Sequence, residues 1–417
     1  MTDAPTLKII RLGRDGDGAA ETPDGAVFVP DALPGETYAA EAGGHFERIG
    51  ALSPDRAAPP CRHFGVCGGC VAQHMTPALY QEWKLGLIHS SFQTQQLVIE
   101  RAPLFVVQPH TRRRASLSAI ATNSKILLGF HARRSHTLID LRECTVLAEP
   151  IVTALPALRD IARHIAAATL AKTGKAVELR IEVAALSGGL DVSVNGTGSP
   201  PAMSVAAQLA IVARRAGLAR LTVEGLMVCA EGEPHLVTAA GNITPPPGAF
   251  FQASTEAERH MAELIVAGVG KAKRVADLFC GSGTFSLPLA RRSQVLAVDN
   301  DKPALAALVH ATRFASGLKP ITTLHRELYG EPLSSLELAD VDAVVFDPPR
   351  AGAKAQAEML ARSKIKTVVA VSCNPATLAR DCRILVDAGF VMGPVHGIDQ
   401  FLWSTHVEAV VTLTRGK

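Results

Sequence analysis

The chain has 417 residues, 47% of them hydrophobic and 19% charged, and a formal net charge of +3 at neutral pH. This composition excludes a disordered polypeptide or a small disulfide-stapled fold, and the length indicates two or three globular domains. The sequence contains no apolar run of about twenty residues and no secretory signal pattern, so a cytosolic protein is expected. The small net charge does not by itself predict a nucleic-acid partner.

Residues 1–58 are predicted to form a small all-β barrel. Short apolar runs at residues 7–12 and 26–30 alternate with clusters of glycine and aspartate, which are typical of turns between strands. The proline-rich segment 53–60 cannot continue a strand ladder and has the composition of a linker. A domain boundary near residue 58 follows.

Four of the eight cysteines form a ligand pattern. Cys61, Cys67 and Cys70 lie close together, and Cys144 follows far downstream. Cysteines in a chain without an export signal are expected to be reduced, so their spacing is compared first with metal sites. Four thiolates suit zinc or an iron–sulfur cluster. Three clustered cysteines and a distant fourth favour a [4Fe–4S] cluster, because structural zinc usually takes two close pairs.

The central region, residues 59–245, is predicted to be an α+β domain. Helical periodicity covers residues 152–170 and 205–216, and a period-two pattern with a bend at Gly188 and Gly189 covers residues 177–194.

Two arginine clusters, at residues 112–114 and 133–134, lie in the same region. Contact with nucleic-acid phosphates is their functional interpretation. A solvated protein face is the alternative, and the sequence leaves both open.

From residue 246 to residue 417 the pattern changes, and apolar strands alternate with helices. Such alternation predicts a parallel, doubly wound sheet. The predicted elements cover residues 274–279, 284–290, 294–298, 302–315, 342–346, 366–372 and 375–388.

A glycine-rich turn at residues 277–285 follows the first of these strands and opens a helix. Gly281 and Gly283 allow a ligand to approach the backbone, where helix N–H groups face it. A dinucleotide fingerprint requires a third glycine at the position of Ser286, so a pyrophosphate is not indicated. The next strand ends at Asp299, whose carboxylate could accept both ribose hydroxyls. The turn predicts a nucleoside-like ligand, with a plain strand-to-helix turn as the alternative.

The motif Asp347-Pro-Pro-Arg350 follows another buried strand, at the edge where open α/β sheets bind ligands. Its two prolines stiffen that edge. The motif and the glycine turn together predict an S-adenosylmethionine-dependent methyltransferase. Methyltransferases that act on exocyclic nitrogens place an aromatic residue after the prolines, so Arg350 favours a different acceptor atom.

Cys373 ends a buried strand and directly precedes a helix, whose N-terminus is expected to lower the pKa of the thiol. Such a nucleophile has a use in methyl transfer, because C5 of uracil becomes reactive only after addition at C6. A base must then remove the C5 proton, and His406 and Glu408 are both candidates. Three other cysteines are expected to be buried structural residues: Cys229, Cys280 and Cys382.

These motifs together resemble the RNA 5-methyluridine (uracil-C5) methyltransferase family, in particular its bacterial 23S ribosomal RNA members with an iron–sulfur cluster. The resemblance covers nearly the whole chain and includes Cys-x5-Cys-Gly-Gly-Cys-x2-Gln-His at residues 61–74 and Gly-Phe-His-Ala-Arg-Arg-Ser-His at residues 129–136. It implies a TRAM domain, an OB-type RNA-binding barrel, in the first region. It also implies an iron–sulfur α+β domain at the centre and a Rossmann-like class I methyltransferase domain at the end.

The resemblance implies roles for individual residues. Cys373 would form a covalent adduct with C6 of the uridine, and Glu408 would accept the C5 proton. The cluster ligands would be Cys61, Cys67, Cys70 and Cys144. The residues implied to bind S-adenosylmethionine or line the target pocket are Gln252, Phe279, Gly281, Gly283, Thr284, Asp299, Glu327 and Asp347.

Family members with both a barrel and a cluster usually act on 23S ribosomal RNA, so ribosomal RNA is the implied substrate and transfer RNA the alternative. A non-catalytic RNA-binding protein with an iron–sulfur cluster is a second alternative, although it would need neither Cys373 nor Glu408. A nitrogen methyltransferase is a third, and it would need no thiol. Neither a membrane nor an obligate protein partner is indicated.

Overall fold

The computed structural model describes residues 6–41, 44–122 and 125–416. Two parts of the predicted barrel, its first five residues and residues 42–43, therefore lie outside the described residues. The first region contains β1 (Thr6–Lys8), β2 (Arg11–Leu12), β3 (Gly18–Thr22), β4 (Gly25–Val29), β5 (Thr37–Ala40) and β6 (Phe46–Arg48). They form two antiparallel sheets, ordered β1-β5-β6 and β2-β3-β4, around one small apolar core. The predicted short strands are confirmed, whereas the assignment to a TRAM barrel stays a prediction.

The next elements are helix α1 (Pro77–Thr94) and strand β7 (Phe105–Val106), and both belong structurally with the C-terminal sheet. Ile88 and Phe92 of α1 are part of a core cluster that consists mainly of C-terminal residues. Strand β7 pairs in parallel with Ile398 and Asp399. The sequence patterns used above indicated neither element.

The central region contains β8 (Arg114–Ala121), β9 (Ile126–His131), β10 (Leu138–Asp140), α2 (Glu149–Thr173), β11 (Glu178–Leu186), β12 (Gly189–Asn195), α3 (Met203–Arg215), β13 (Leu218–Val223) and β14 (Leu226–Ala230). The strands form one sheet, ordered β10-β9-β8-β11-β12-β13-β14, and the two helices pack against it. Both predicted helices are confirmed. The predicted bent strand is a β11–β12 hairpin instead, because Gly188 and Gly189 adopt φ values of 87° and 122° that reverse the chain.

Arg133 and Arg134 of the central region form ion pairs with the N-terminal region. Arg133 Nη1 donates to Asp17 Oδ1 over 2.7 Å, and Arg134 Nη2 donates to Asp15 Oδ2 over 2.9 Å. Asp17 is only 2% exposed, so its carboxylate depends on these partners. The two arginines form ion pairs between the two regions, and the Arg134 side chain stays 65% exposed, so phosphate contact by this cluster stays a prediction.

The last region contains β15 (Leu236–Thr238), β16 (Gly241–Ile243), α4 (Thr255–Val269), β17 (Arg274–Leu278), α5 (Ser286–Ala290), β18 (Gln294–Asp299), α6 (Lys302–Thr312), β19 (Ile321–His325), β20 (Ala343–Phe346), α7 (Lys354–Ala361), β21 (Thr367–Ser372), α8 (Pro375–Asp387), β22 (Phe390–Asp399) and β23 (Glu408–Arg415). Its main sheet has the order β19-β18-β17-β20-β21-β23-β22-β7. The predicted doubly wound, Rossmann-like sheet is confirmed: β17 to β21 are parallel, with helix α4 on one face and α7 and α8 on the other.

Strand direction decides which residues meet at one edge of this sheet. Strand β23 runs antiparallel to both of its neighbours, β21 and β22. Its first residue, Glu408, therefore lies at the edge where the parallel strands end. Within the described residues, no helix combines the length and the apolar character needed to cross a membrane.

Candidate active site

The carboxyl edge of the main sheet borders a cavity of about 430 Å³. Phe279 follows β17, Asp347 follows β20 and Cys373 follows β21, so each strand contributes its next residue to the wall. The predicted site residues that line the cavity are Gln252, Phe279, Gly281, Asp299, Glu327, Asp347, Cys373 and Glu408. The structure thus brings the predicted nucleophile, the predicted base and most of the predicted donor residues together.

Gly283 and Thr284 lie outside the set of described residues that line this cavity. A Cβ atom at Gly283 would lie 2.3 Å from Leu308 Cδ1, and the φ of Gly283 is +90°. This glycine therefore allows the turn to pack closely against α6. Thr284 lines a different cavity, bordered by α4 and α5. The assignment of these two residues to donor binding stays a prediction.

Asp299 organises the glycine turn. Its Oδ2 accepts the Gly281 N–H at 2.8 Å, and its Oδ1 accepts the Asp301 N–H at 2.9 Å. Phe279 adopts a left-handed φ of 60°, which is rare for a residue other than glycine and is found in strained functional turns. Its ring lies 5.6 Å from that of Tyr329, a cavity residue that sequence analysis missed. The turn presents backbone, carboxylate and aromatic surface, which suit a nucleoside.

We expect Asp299→Ala to weaken the binding of S-adenosylmethionine about 5- to 150-fold, which corresponds to the ~1–3 kcal/mol lost when a buried polar group loses its partner. The substitution removes the predicted ribose acceptor and the hydrogen bond that holds the Gly281 N–H. Isothermal titration calorimetry measures the affinity.

Asp342→Ala is the matched control, because Asp342 Oδ2 also accepts two backbone N–H groups, from Lys273 and Arg274, at 2.8 and 2.9 Å. These bonds lie at the start of β17, the opposite end of the strand from the glycine turn, so this variant should retain donor affinity. Unchanged affinity in Asp299→Ala would place the ribose contact elsewhere.

Two carboxyl groups face the cavity, that of the buried Glu408 and that of the part-buried Asp347. Burial raises the pKa of Asp347 to about 7, although the Gln252 side-chain N–H donates to Asp347 Oδ2 over 2.9 Å and opposes the rise. Burial, together with the nearby Asp347 carboxylate, raises the pKa of Glu408 to about 8. Glu408 Oε2 has no hydrogen-bond partner among the described residues. The site therefore holds a buried carboxylate oxygen that is free to take a proton.

Cys373 precedes α8, which Asn374 caps by accepting the Ala376 N–H. The expectation that this helix lowers the thiol pKa is wrong. Burial raises the pKa of Cys373 to about 12, with further contributions from the Glu408 and Asp347 carboxylates that outweigh Arg350. Burial and the two carboxylates thus outweigh any stabilisation of the thiolate by the helix N-terminus.

The structure distinguishes the two candidate bases. Glu408 shares the cavity with Cys373. His406 instead lines a neighbouring cavity, and its Nδ1 lies 3.1 Å from Arg350 Nη2. This location favours Glu408 over His406.

The neighbouring cavity, of about 290 Å³, is lined by all four predicted ligand cysteines: Cys61, Cys67, Cys70 and Cys144. Burial, together with smaller contributions from Cys144, Cys67 and Cys61, raises the pKa of the Cys70 thiol to about 12, as expected for sulfurs that lie close together. A second group of donor atoms, from Cys61, His63 and Glu143, lies within 4.8 Å of one another. The four converging thiols fit an iron–sulfur cluster. The mixed group is closer to a zinc site.

Of the arginines at 112–114, Arg113 is buried and the other two are part-buried, so contact with phosphates stays a prediction for Arg112 and Arg114. Arg112 lies over the Phe401 ring beside the cysteine cavity. Arg113 Nη2 forms an ion pair with Glu258. The Arg114 guanidinium lies 4.3 Å from the centre of the exposed Phe250 ring.

The loop at residues 401–406 lines the cysteine cavity, and a buried lysine anchors it. Lys84 Nζ donates to Asp399 Oδ1 over 2.9 Å and to the carbonyl oxygens of Phe401 and His406. Tyr80 donates its hydroxyl to Asp399 as well. Sequence analysis missed this anchor, although the apolar face of α1 at residues 80, 83, 88 and 92 was a signal.

The fold and the site are those of an S-adenosylmethionine-dependent methyltransferase. The sequence model of the tRNA (uracil-5-)-methyltransferase family matches residues 245–416. A Brucella suis protein described as an uncharacterized RNA methyltransferase is 43% identical and aligns over 100% of both chains. The 23S rRNA (uracil(1939)-C(5))-methyltransferase RlmD of Shewanella amazonensis is 30% identical, over 97% of this chain and 94% of its own. The chain therefore belongs to the RNA (uracil-5-)-methyltransferase family.

A solved structure shares the whole fold. The crystal structure of the Pyrococcus abyssi tRNA (uracil-54, C5)-methyltransferase in complex with S-adenosyl-L-homocysteine superimposes with a TM-score of 0.73. The match covers 98% of this chain and 99% of the other, at 20% identity. Together with family membership, the cavity at the sheet edge defines an enzyme that transfers a methyl group from S-adenosylmethionine to C5 of uracil in RNA.

Proposed function

We propose that this enzyme methylates a uridine of 23S ribosomal RNA through a covalent bond between Cys373 Sγ and C6 of the base. The observation that carries the proposal is the placement of Cys373 and Glu408 in one cavity, with Glu408 Oε2 buried and unpartnered among the described residues. A purely structural cysteine would need no buried base beside it.

The reaction starts from the Cys373 thiolate. Sγ adds to C6, and the electron pair of the C5–C6 double bond makes C5 nucleophilic. C5 then takes the methyl carbon, and the pair of the broken S–CH3 bond stays on the sulfur of S-adenosylhomocysteine. Glu408 Oε2 accepts the C5 proton, the C–H pair restores the double bond, and Sγ leaves as a thiolate. The steps need no oxidant or reductant.

The raised pKa of Cys373 is compatible with these reaction steps because the methyl donor, S-adenosylmethionine, carries a positive charge. Two carboxylates favour the neutral thiol in the protein alone. A positively charged sulfonium in the same cavity favours the thiolate, since an opposite charge nearby stabilises an anion. The pKa of Cys373 should therefore fall when S-adenosylmethionine binds, which would couple activation of the nucleophile to the presence of the methyl donor.

Two observations support ribosomal RNA as the substrate. The relative from Shewanella amazonensis, named as a 23S rRNA enzyme, aligns over nearly the full length of both chains. The β-rich region before residue 58 and the four-cysteine cavity also suit the barrel and cluster that the resemblance implies for the ribosomal members. We accordingly assign residues 1–58 to a TRAM domain, 59–245 to an iron–sulfur domain and 246–417 to the methyltransferase domain.

Mapping 5-methyluridine in a deletion strain tests the choice of RNA. We expect one position of 23S ribosomal RNA to lose its methyl group completely, and transfer RNA to keep its 5-methyluridine. Complementation with the wild-type gene should restore the modification, and complementation with Cys373→Ala should not. Loss from transfer RNA alone would establish the alternative substrate.

We further propose that Cys61, Cys67, Cys70 and Cys144 hold a [4Fe–4S] cluster, which would join the loop before α1 to the segment before α2. Protein purified without oxygen should be brown and contain about four irons per chain. Cys144→Ala should lose the colour, whereas Cys229→Ala, a buried cysteine outside the cavity, should keep it. One zinc per chain with no visible absorbance would instead favour the site of Cys61, His63 and Glu143.

A further inference from the structure

Gln400 is only 1% exposed and contacts two residues that line the catalytic cavity, Gln252 and Glu408. Its Oε1 accepts the backbone N–H of Ala253 at 2.8 Å. Its Nε2 donates to Gln252 Oε1 over 2.6 Å and to Glu408 Oε1 over 2.9 Å. Both ends of the amide are therefore used, as a buried amide requires.

One backbone group fixes the direction of this network. The Ala253 N–H can only donate, so the oxygen of Gln400 must face it and the NH2 group must face Gln252 and Glu408. Gln252 must then turn its own oxygen towards Gln400 and its NH2 group towards Asp347. The orientation of both amides follows from a bond to the main chain.

The network leaves each carboxyl group with one oxygen bound by an amide. Glu408 Oε1 is held by Gln400, and the remaining Oε2 is unpartnered among the described residues. Asp347 Oδ2 is held by Gln252. Gln400 thus selects which oxygen of Glu408 stays free.

We propose that Gln400 is a positioning residue for removal of the C5 proton, which holds Glu408 so that Oε2 accepts the proton and orients Gln252 towards Asp347. The inference rests on the proposed function of Glu408 as the base. Gln400 touches neither substrate nor donor in this role. It acts through the carboxylate that it holds.

The proposal has a pH consequence. An N–H donor stabilises the ionised carboxylate, so its loss raises the pKa of Glu408 above about 8. The titratable groups that face Glu408 are Asp347 after β20 and Cys373 after β21, and Arg350 acts on Cys373. Since the base works only when ionised, the acidic limb of the kcat profile should move to higher pH.

The test compares Gln400→Met, Gln400→Glu and the control Gln356→Met. Methionine keeps the length of the side chain without the N–H donor. Glutamate replaces only NH2 by oxygen and places a like charge beside Glu408, so it supplies the test if the methionine variant does not fold. Gln356 is also fully buried, but it bonds only to the backbone of Leu333 and does not line the catalytic cavity.

We expect both Gln400 variants to lower kcat at least about tenfold, part of the ~10²–10⁴-fold that a general base contributes. They should shift the acidic limb upward, leave the KM for RNA unchanged and accumulate methylated, protein-linked RNA. Gln356→Met should show the wild-type limb and no accumulated adduct. If the Gln400 variants behave like Gln356→Met while Glu408→Gln accumulates the adduct, the inference about Gln400 is overturned and the proposed role of Glu408 stands. If Glu408→Gln accumulates none, the proposed function and the inference fall together.

Discussion

Glu408→Gln should accumulate methylated RNA that stays linked to Cys373 on denaturing gels. The variant retains the thiol, so addition to C6 and transfer of the methyl group still occur. It lacks the carboxylate that takes the C5 proton, so elimination stalls and turnover falls roughly 10²–10⁴-fold. Gel shift of labelled RNA under denaturing conditions, with mass spectrometry of the linked peptide, measures both the bond and the added methyl group.

Two further variants separate the roles. Cys373→Ala should neither methylate RNA nor form the linked species, because C5 is never activated. His406→Ala should keep turning over, because His406 lies in the cysteine cavity and not beside Cys373. Normal turnover in Glu408→Gln with a trapped adduct in His406→Ala would reverse the assignment of the base.

Lys84→Met should lower the free energy of unfolding by about 3–5 kcal/mol, the cost of removing one partner of a buried ion pair. Both Lys84 and Asp399 are completely buried, and Lys84 also holds two carbonyl groups of the 401–406 loop. Because this loop joins Gln400 to Glu408, activity should fall with stability. Urea denaturation followed by circular dichroism measures the change.

Glu82→Gln is the control within the same helix, because it breaks the exposed pair of Glu82 with Arg101, whose atoms are 3.6 Å apart. Exposed ion pairs contribute little to the free energy of unfolding, so the denaturation midpoint of Glu82→Gln should stay near that of the wild type. A Lys84→Met protein with an unchanged midpoint would show that the Lys84–Asp399 pair is not an anchor of the loop.

Much of the catalytic site was predictable because parallel strands end at one edge. Asp299, Asp347 and Cys373 each mark the end of an apolar run, so their convergence follows from the alternation of strands and helices. The same rule, applied to the strand Phe390–Asp399, would have indicated Gln400. Its bond to Glu408 could not be predicted, because it depends on the register between β22 and β23.

Other features depended on partners far along the chain. Lys84 contacts Asp399 across 315 positions, and Arg133 contacts Asp17 across 116. No local pattern identifies such partners, so the sequence alone did not indicate the ion pairs of Arg133 and Lys84. The pKa of Cys373 was missed for the same reason, since burial and two carboxylates from other elements determine it.

Release of tritium from RNA labelled at C5 of uridine tests the central claim most directly, with a 23S ribosomal RNA fragment, S-adenosylmethionine and the purified enzyme. Methylation at C5 replaces the hydrogen on that carbon, so the account predicts one tritium released for each methyl group incorporated. Cys373→Ala should give neither. Methyl incorporation by the wild-type enzyme without release of tritium would place the methyl group on another atom and contradict the account.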